Sequence, residues 1–272
     1  MQTTGSGASL TARDSASHMR RSCSFLLAVS AASCAALAAV AQSPPRPPKP
    51  YEPVTITRPA ASDDVTFALF RAALALAVKI RHYAELAPLV LERGFFWGRD
   101  FGQRFDPRKP SVDNLAAAIA LERGNGTGWQ ALAEFAAEAA VEPLDSRPGV
   151  ICAPARPNYD GVAFAKLLDN SVTSDIDWAY PRADETPVHA APQPGAAKVG
   201  TLGLHFVRLL GFEGADSEPS PGRTQWARIA LPDGKQGFVA PGSLMSLTTE
   251  RLCYIKDLVA GWRIAGYIGG GH

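Results

Sequence analysis

The chain has 272 residues, with 27 Lys and Arg, 26 Asp and Glu, and a formal net charge of +1. Hydrophobic residues make up 46% of it, enough for a sizeable core. The charges are dispersed, which argues against a nucleic-acid-binding protein, because such proteins need clustered Lys and Arg to neutralise phosphates. A basic stripe for binding a membrane surface is also missing from the sequence.

Residues 1–41 contain the three parts of a secretory signal peptide. Positive charge lies at Arg20 and Arg21, an apolar run covers 25–40, and small residues at 39–41 are typical of a cleavage site. We therefore expect export, to the periplasm or the medium, with cleavage after Ala41.

The polar residues 1–18 precede this signal, so we expect Met19 to be the true initiator. Two alternatives stay open for the apolar run. It could be an uncleaved membrane anchor, which needs about 20 apolar residues, or Cys34 could be lipidated, although the usual leucine before it is missing. Cleavage leaves 24 basic and 25 acidic residues, a formal charge of −1.

Four cysteines are present, and cleavage removes Cys23 and Cys34. The remaining Cys152 and Cys253 are expected to form a disulfide in an oxidising compartment. The bond would close a loop of about 100 residues, worth about 4 to 5 kcal/mol, and would link a helical domain to a barrel. The alternative is that one cysteine is a catalytic nucleophile, but neither has a His-bearing motif nearby.

Residues 42–61 are rich in proline and contain S-P-P-R-P-P-K-P-Y-E-P. This composition predicts an extended, semi-rigid linker in polyproline II conformation. The alternative is a self-ligand for the barrel, because P-x-x-P segments bind eukaryotic SH3 domains.

Helical periodicity begins at Ser62, a plausible N-cap. The first helix is expected to bury one apolar stripe, formed by Val65, Leu69, Ala72, Ala73, Leu76 and Ile80. Further helices are predicted over 112–123 with Gly124 as C-cap, from a capping box at Thr127 to Ala140, and from Asp160 to Leu168. Residues 62–180 are therefore predicted to be a helical domain.

Other motifs in this half have unremarkable explanations. The glycine-rich residues 124–128 lack the strand and the lysine of a phosphate-binding loop, so they are expected to form a turn. The aromatic cluster 95–101 is expected to pack in a core, with an exposed binding patch as the alternative. No metal site and no cofactor are expected, because the histidines lack metal-ligand spacing; they are His82, His189, His205 and His272.

Five short alternating segments follow in 181–250. Residues 187–192, 199–210 and 226–239 read P-V-H-A-A-P, V-G-T-L-G-L-H-F-V-R-L-L and W-A-R-I-A-L-P-D-G-K-Q-G-F-V. Asp233-Gly234 is a strong hairpin signal, and five strands in about sixty residues are typical of a small barrel.

These segments resemble the bacterial SH3-like (SH3b) family over about a quarter of the chain. The resemblance implies an SH3-like barrel that recognises peptidoglycan, its peptide stems or an envelope protein. The segment 213–224 departs from the pattern, because it is longer and richer in Gly, Pro and Ser than a minimal loop.

Residues 251–272 predict a C-terminal hairpin that caps or extends the barrel sheet. Its return strand is expected to place Trp262, Ile264 and Ile268 on one face and Tyr267 on the other. The hairpin aromatics are expected to form one binding face with those of the barrel, and the alternative is that they fill two small cores. The candidate binding residues are Trp226, Phe206, Phe238, Tyr254, Trp262 and Tyr267, with Phe212 beside them.

The sequence thus predicts an α+β protein with an N-terminal α-helical domain, a small SH3-like β-barrel and a C-terminal hairpin. The expected function is that of a non-catalytic, exported cell-envelope module that binds peptidoglycan or an envelope protein. It would bind no nucleic acid and would not insert into the membrane after cleavage. Two alternatives remain: a cell-wall-acting enzyme with its catalytic group in the helical domain, and a purely structural role.

Overall fold

A computed structural model describes residues 48–98, 104–121, 126–213 and 225–270. The fold is mixed α+β, as the sequence predicts. Its α-helices are α1 (Val65–Ile80), α2 (Tyr83–Leu86), α3 (Ser111–Ala118), α4 (Thr127–Ala137) and α5 (Gly161–Ser171). The predicted signal peptide, Gly124 and His272 lie outside the described residues.

The strands form three sheets, and none of them closes as a barrel within the described ranges. The strands are β1 (Ile56–Thr57), β2 (Phe96–Gly98), β3 (Glu142–Pro143), β4 (Val150–Ala153), β5 (Asn158–Tyr159), β6 (Trp178–Pro181), β7 (Thr186–His189), β8 (Lys198–Leu202), β9 (Val207–Glu213), β10 (Trp226–Ala230), β11 (Gln236–Val239), β12 (Leu244–Ser246), β13 (Arg251–Asp257) and β14 (Gly261–Ile268).

The first lobe is a five-stranded sheet, in the order β2-β14-β13-β4-β3, with α1, α3 and α4 packed on it. Its core joins side chains of the helices to Leu252, Tyr254, Ile264 and Tyr267 of the two central strands. The C-terminal hairpin is therefore the centre of this lobe. It neither caps nor extends the sheet of residues 181–250.

Helix α1 begins two residues later than an N-cap at Ser62 predicts. Asp64 is its N-cap, and the carboxylate accepts hydrogen bonds from the backbone N–H groups of Thr66 and Phe67. The helix buries a different face from the one expected, namely Phe67, Phe70, Leu74, Ala77 and Val78. The predicted apolar stripe lies on the opposite side and is exposed.

Two further helix starts can be compared with their predicted caps. Helix α4 starts at Thr127 itself, with Gly126 as N-cap at φ +72°, so the capping box expected at Thr127 is wrong. Asp160 caps α5 as predicted, since its carboxylate accepts from the N–H groups of Val162 and Ala163.

The hairpin of β13 and β14 forms as predicted, but its faces do not alternate as expected. The register shifts at Cys253/Tyr254, where Cys253 lies opposite Gly266 and Tyr254 opposite Ile264. One extra residue in β14 moves each side chain that follows it to the opposite face of the sheet. Tyr267 therefore packs in the same core as Ile264, whereas Ile268 packs on the other side of the sheet.

The second lobe is a seven-stranded sheet in the order β12-β6-β9-β10-β11-β7-β8. The five segments that resemble the SH3b pattern become β7 to β11 of this sheet. The turn between β10 and β11 forms at Asp233-Gly234 as predicted, with Gly234 at φ +82°. Gly237 is needed for close packing, because a Cβ there would lie 2.3 Å from Val188 Cγ1.

The proline-rich segment is docked on this second lobe from residue 48 onward. Tyr51 donates its hydroxyl hydrogen to Ala230 O at 3.0 Å and its backbone N–H to Pro232 O at 3.0 Å. Its ring meets Trp178 edge to face at 5.0 Å. The described part of the segment is thus a packed element of the lobe and not a spacer.

Cys152 in β4 and Cys253 in β13 are directly paired across two neighbouring strands and joined by a disulfide, with an S–S distance of 2.06 Å. The bond lies inside the first lobe. It does not link a helical domain to a barrel, because β13 belongs to the same sheet as β4. Both side chains are completely buried.

Candidate functional site

A groove of about 550 Å³ runs between the second-lobe sheet and helix α4 of the first lobe. Its floor is apolar and comes from one face of the sheet. The residues that form this floor are Leu209, Phe212, Ala227 and Leu244. Concave pockets with apolar floors and a few polar groups are the usual ligand sites of proteins.

Strand alternation explains why this face is apolar. Ala227 and Ile229 of β10 point to the inner side of the sheet, where they pack with Val239. Phe212 lies directly opposite Ala227 in the ladder and keeps 38% of its surface exposed. It is therefore the large apolar side chain of the floor most accessible to a ligand.

The rim of the groove carries three carboxylates and one guanidinium. Glu134 and Glu138 lie one turn apart at the end of α4, Glu250 precedes β13, and Arg182 follows β6. Arg182 donates from Nη1 to Glu138 Oε1 at 2.8 Å, so this ion pair spans the groove from one lobe to the other. Carboxylates at the rim can accept hydrogen bonds from the N–H groups of a ligand.

Hydroxyl groups line another edge of the groove. Ser246 Oγ lies 2.9 Å from Thr248 Oγ1 and accepts a hydrogen bond from the Thr248 N–H. Thr249 Oγ1 accepts from the Ser246 N–H at 3.1 Å. These bonds fix the turn after β12, so the edge presents hydroxyl groups in a set geometry.

The structure does not bring the six predicted binding aromatics onto one face. Phe206 is buried in the second lobe, and Tyr254 and Tyr267 are buried in the first. Burial raises the pKa of the Tyr254 hydroxyl far above its usual value. These three side chains fill cores, which is the alternative that the sequence left open.

The other three predicted aromatics are half-buried. Trp262 packs edge to face against Phe67 at 5.1 Å, and its Nε1 donates to Thr66 Oγ1. Trp226 and Phe238 lie on the outer face of the second-lobe sheet, away from the groove. There Trp226 meets His189 edge to face at 5.3 Å, and His189 is the ladder partner of Phe238.

The aromatic cluster at 95–101 is described only as far as Gly98. Phe95 is buried in the first-lobe core, and Trp97 packs against that core in β2. These two residues follow the expected core packing.

Both described cysteines are used in the disulfide. No cluster of three or more His, Cys, Asp or Glu suited to a metal ion occurs among the described residues. In that same part of the chain, no helix is long and apolar enough to span a bilayer.

The groove residues were mostly missed by sequence reasoning. The sequence predicts Phe212 to be an aromatic of the barrel. No local sequence pattern indicates that Arg182 and Leu244 line a site, because they come together only through the order of the strands in the sheet. The spacing of Glu134 and Glu138 does hold a signal, because residues four apart share one helix face. It indicates an acidic end to α4 but not what lies opposite.

Comparison with models of protein families, with curated proteins and with solved structures found no match to this chain.

Proposed function

We propose that this protein is an exported, non-catalytic module of the bacterial cell envelope that binds a peptide in the groove between the second-lobe sheet and α4. The observation that carries the proposal is the groove itself, with an accessible Phe212 on its floor and carboxylate oxygens at its rim. A peptide stem of peptidoglycan, or an extended segment of an envelope protein, would place apolar side chains on this floor and an amino group at the rim.

The SH3-like assignment of residues 181–250 belongs to this proposal. It is supported by the antiparallel pairing of β7 with β8, of β9 with β10 and of β10 with β11. The open sheet that contains these strands is a departure from a closed barrel. Export is supported by the signal-peptide pattern of residues 1–41 and agrees with a buried disulfide in the mature chain.

A binding role is preferred to the cell-wall-acting enzyme for a specific reason. The candidate nucleophile of the enzyme hypothesis was one of the two cysteines, and Cys152 and Cys253 are bonded to each other. A cysteine attacks as its thiolate, and a disulfide sulfur cannot supply one.

The test is co-sedimentation of the protein with purified peptidoglycan sacculi. We expect saturable pelleting that is lost in Phe212→Ala and retained in Phe238→Ala, the matched control on the outer face. Circular dichroism and a urea unfolding curve establish that each variant is folded.

Each other result has a defined meaning. Pelleting lost in Phe238→Ala or Trp226→Ala, but not in Phe212→Ala, would move the binding site to the outer face and overturn the groove. A folded wild-type protein that does not pellet would overturn peptidoglycan binding.

A further inference from the structure

Helix α1 is apolar on two opposite sides. Its inner side is buried on the first-lobe sheet. On its outer side, four large apolar side chains are exposed: Val65 by 71%, Leu69 by 67%, Leu76 by 59% and Ile80 by 51%. Ala72 and Ala73 lie between them and are also exposed. We call these six residues the outer stripe.

The outer stripe is unusual for a surface helix. At about 100° per residue, its six positions fall within an arc of about 100° on the helix. A contiguous apolar stripe of this kind marks an interaction surface more often than isolated exposed hydrophobic residues do.

The order of residues along the stripe is symmetric about the point between Ala72 and Ala73. Val65 and Ile80 are equally far from this point, and so are Leu69 and Leu76. A two-fold interface requires such self-complementarity. Whenever residue i of one copy contacts residue j of the other, residue j of the first copy also contacts residue i of the second. Small residues at the centre let two helices approach closely, and large ones on either side fill the space.

Charges at the helix ends agree with this antiparallel arrangement. The exposed Asp63 precedes the N-terminus, whereas the exposed Lys79 lies in the last turn. In an antiparallel pair, each Asp63 lies near Lys79 of the second copy, and the two helix dipoles oppose each other favourably. A parallel pair would instead bring like charges together.

From these observations we infer that the outer stripe of α1 is a homodimer interface, in which the α1 helices of two copies pack antiparallel about a two-fold axis at Ala72/Ala73. Leu69 then packs against Leu76 of the second copy, and Val65 against its Ile80. The interface is independent of the groove, so the dimer and the proposed function are tested separately.

Sedimentation equilibrium over a range of concentrations provides the first test, with protein produced from the full chain carrying Cys23→Ser and Cys34→Ser. We expect a monomer–dimer equilibrium whose dissociation constant rises at least about 30-fold in Leu69→Glu, because a buried carboxylate replaces an apolar contact twice in each dimer. Val162→Glu is the matched control, since Val162 is an apolar residue of α5 that is 81% exposed, and it should leave the equilibrium unchanged.

Cysteine crosslinking tests the direction of the helices. In the antiparallel pair, Ala72→Cys should crosslink to itself, whereas two copies of Val65→Cys are separated by about 22 Å along the axis and should not. Mixing Val65→Cys with Ile80→Cys should yield the mixed dimer. Crosslinking of Val65→Cys to itself, a wild-type protein that stays monomeric, or a dimer unaffected by Leu69→Glu would each overturn the inference.

Discussion

Arg182 and Glu138 join the two lobes through an ion pair of 2.8 Å across the groove. Their side chains are 38% and 25% exposed, so water screens the pair. We expect a coupling free energy of about 0.5 kcal/mol between Arg182→Ala and Glu138→Ala, measured by urea unfolding in a double-mutant cycle. A coupling free energy above about 2 kcal/mol would contradict this expectation and would mean that the ion pair contributes substantially to holding the two lobes together.

The disulfide should contribute much more to stability than that ion pair. Cys152 and Cys253 are 101 residues apart in sequence, and in the chain-entropy model a loop of this length is worth about 4 to 5 kcal/mol. The double variant Cys152→Ala, Cys253→Ala should lose about that much free energy of unfolding in urea. A loss below about 1 kcal/mol would contradict the expectation. In the wild-type protein, the buried sulfurs should resist reductant until the chain unfolds.

Two helical glycines should respond in opposite ways to the same substitution. A Cβ on Gly128 would lie 2.6 Å from Leu121 Cα and 2.7 Å from Ile119 O, both backbone atoms that cannot easily move. Gly128→Ala should therefore destabilise the protein by about 1 to 3 kcal/mol.

Gly161 supplies the control, because nothing lies within 4 Å of a Cβ built there. Since alanine favours helix formation over glycine by up to about 1 kcal/mol, Gly161→Ala should be neutral or stabilising. Thermal unfolding of the two variants side by side measures the difference. Equal effects would show that the backbone at Leu121 does not lie close enough to Gly128 to exclude a Cβ.

Alkaline pH should destabilise the protein through three tyrosines. Burial raises the pKa of Tyr51, Tyr180 and Tyr254 in the folded state well above the usual value near 10. Above about pH 10 the unfolded chain releases protons that the folded chain keeps. The free energy of unfolding then falls by about 1.4 kcal/mol per pH unit for each tyrosine, or about 4 kcal/mol at pH 11 for all three.

The Tyr180→Phe variant separates this effect from the titration of lysines. It should lose about a third of the tyrosine-dependent slope between pH 10 and pH 11 in urea unfolding curves. An unchanged slope would show that the Tyr180 hydroxyl ionises normally in the folded protein.

Features that depend on neighbouring residues could be predicted from the sequence. The Asp233-Gly234 turn and the Asp160 cap are set by interactions within a few residues, so they form where expected. The segment 226–239 forms the β10–β11 hairpin for the same reason. The cysteine pair was found because cleavage of the signal peptide would leave only two.

Features that depend on distant parts of the chain could not be predicted. Both faces of α1 are apolar, and the buried one is chosen by Phe67 and Phe70, which pack edge to face on Tyr254 nearly two hundred residues away. The register shift at Tyr254 has no local sequence signal, yet it decides where Tyr267 points. The groove was missed for a related reason, since its walls come from both lobes.

The pairing of β4 with β13, which the bond between Cys152 and Cys253 joins, has a consequence for the assembly of the first lobe. Its central strands, β13 and β14, come from residues 251–268, whereas its helices come from residues 65–137. Most of the second lobe is therefore an insertion between β4 and β13, whose Cα atoms at the cystine are 4.0 Å apart. Because the helices lack the central strands of their sheet until β13 and β14 have been made, this lobe can complete its core and its disulfide only after the inserted sequence has been synthesised.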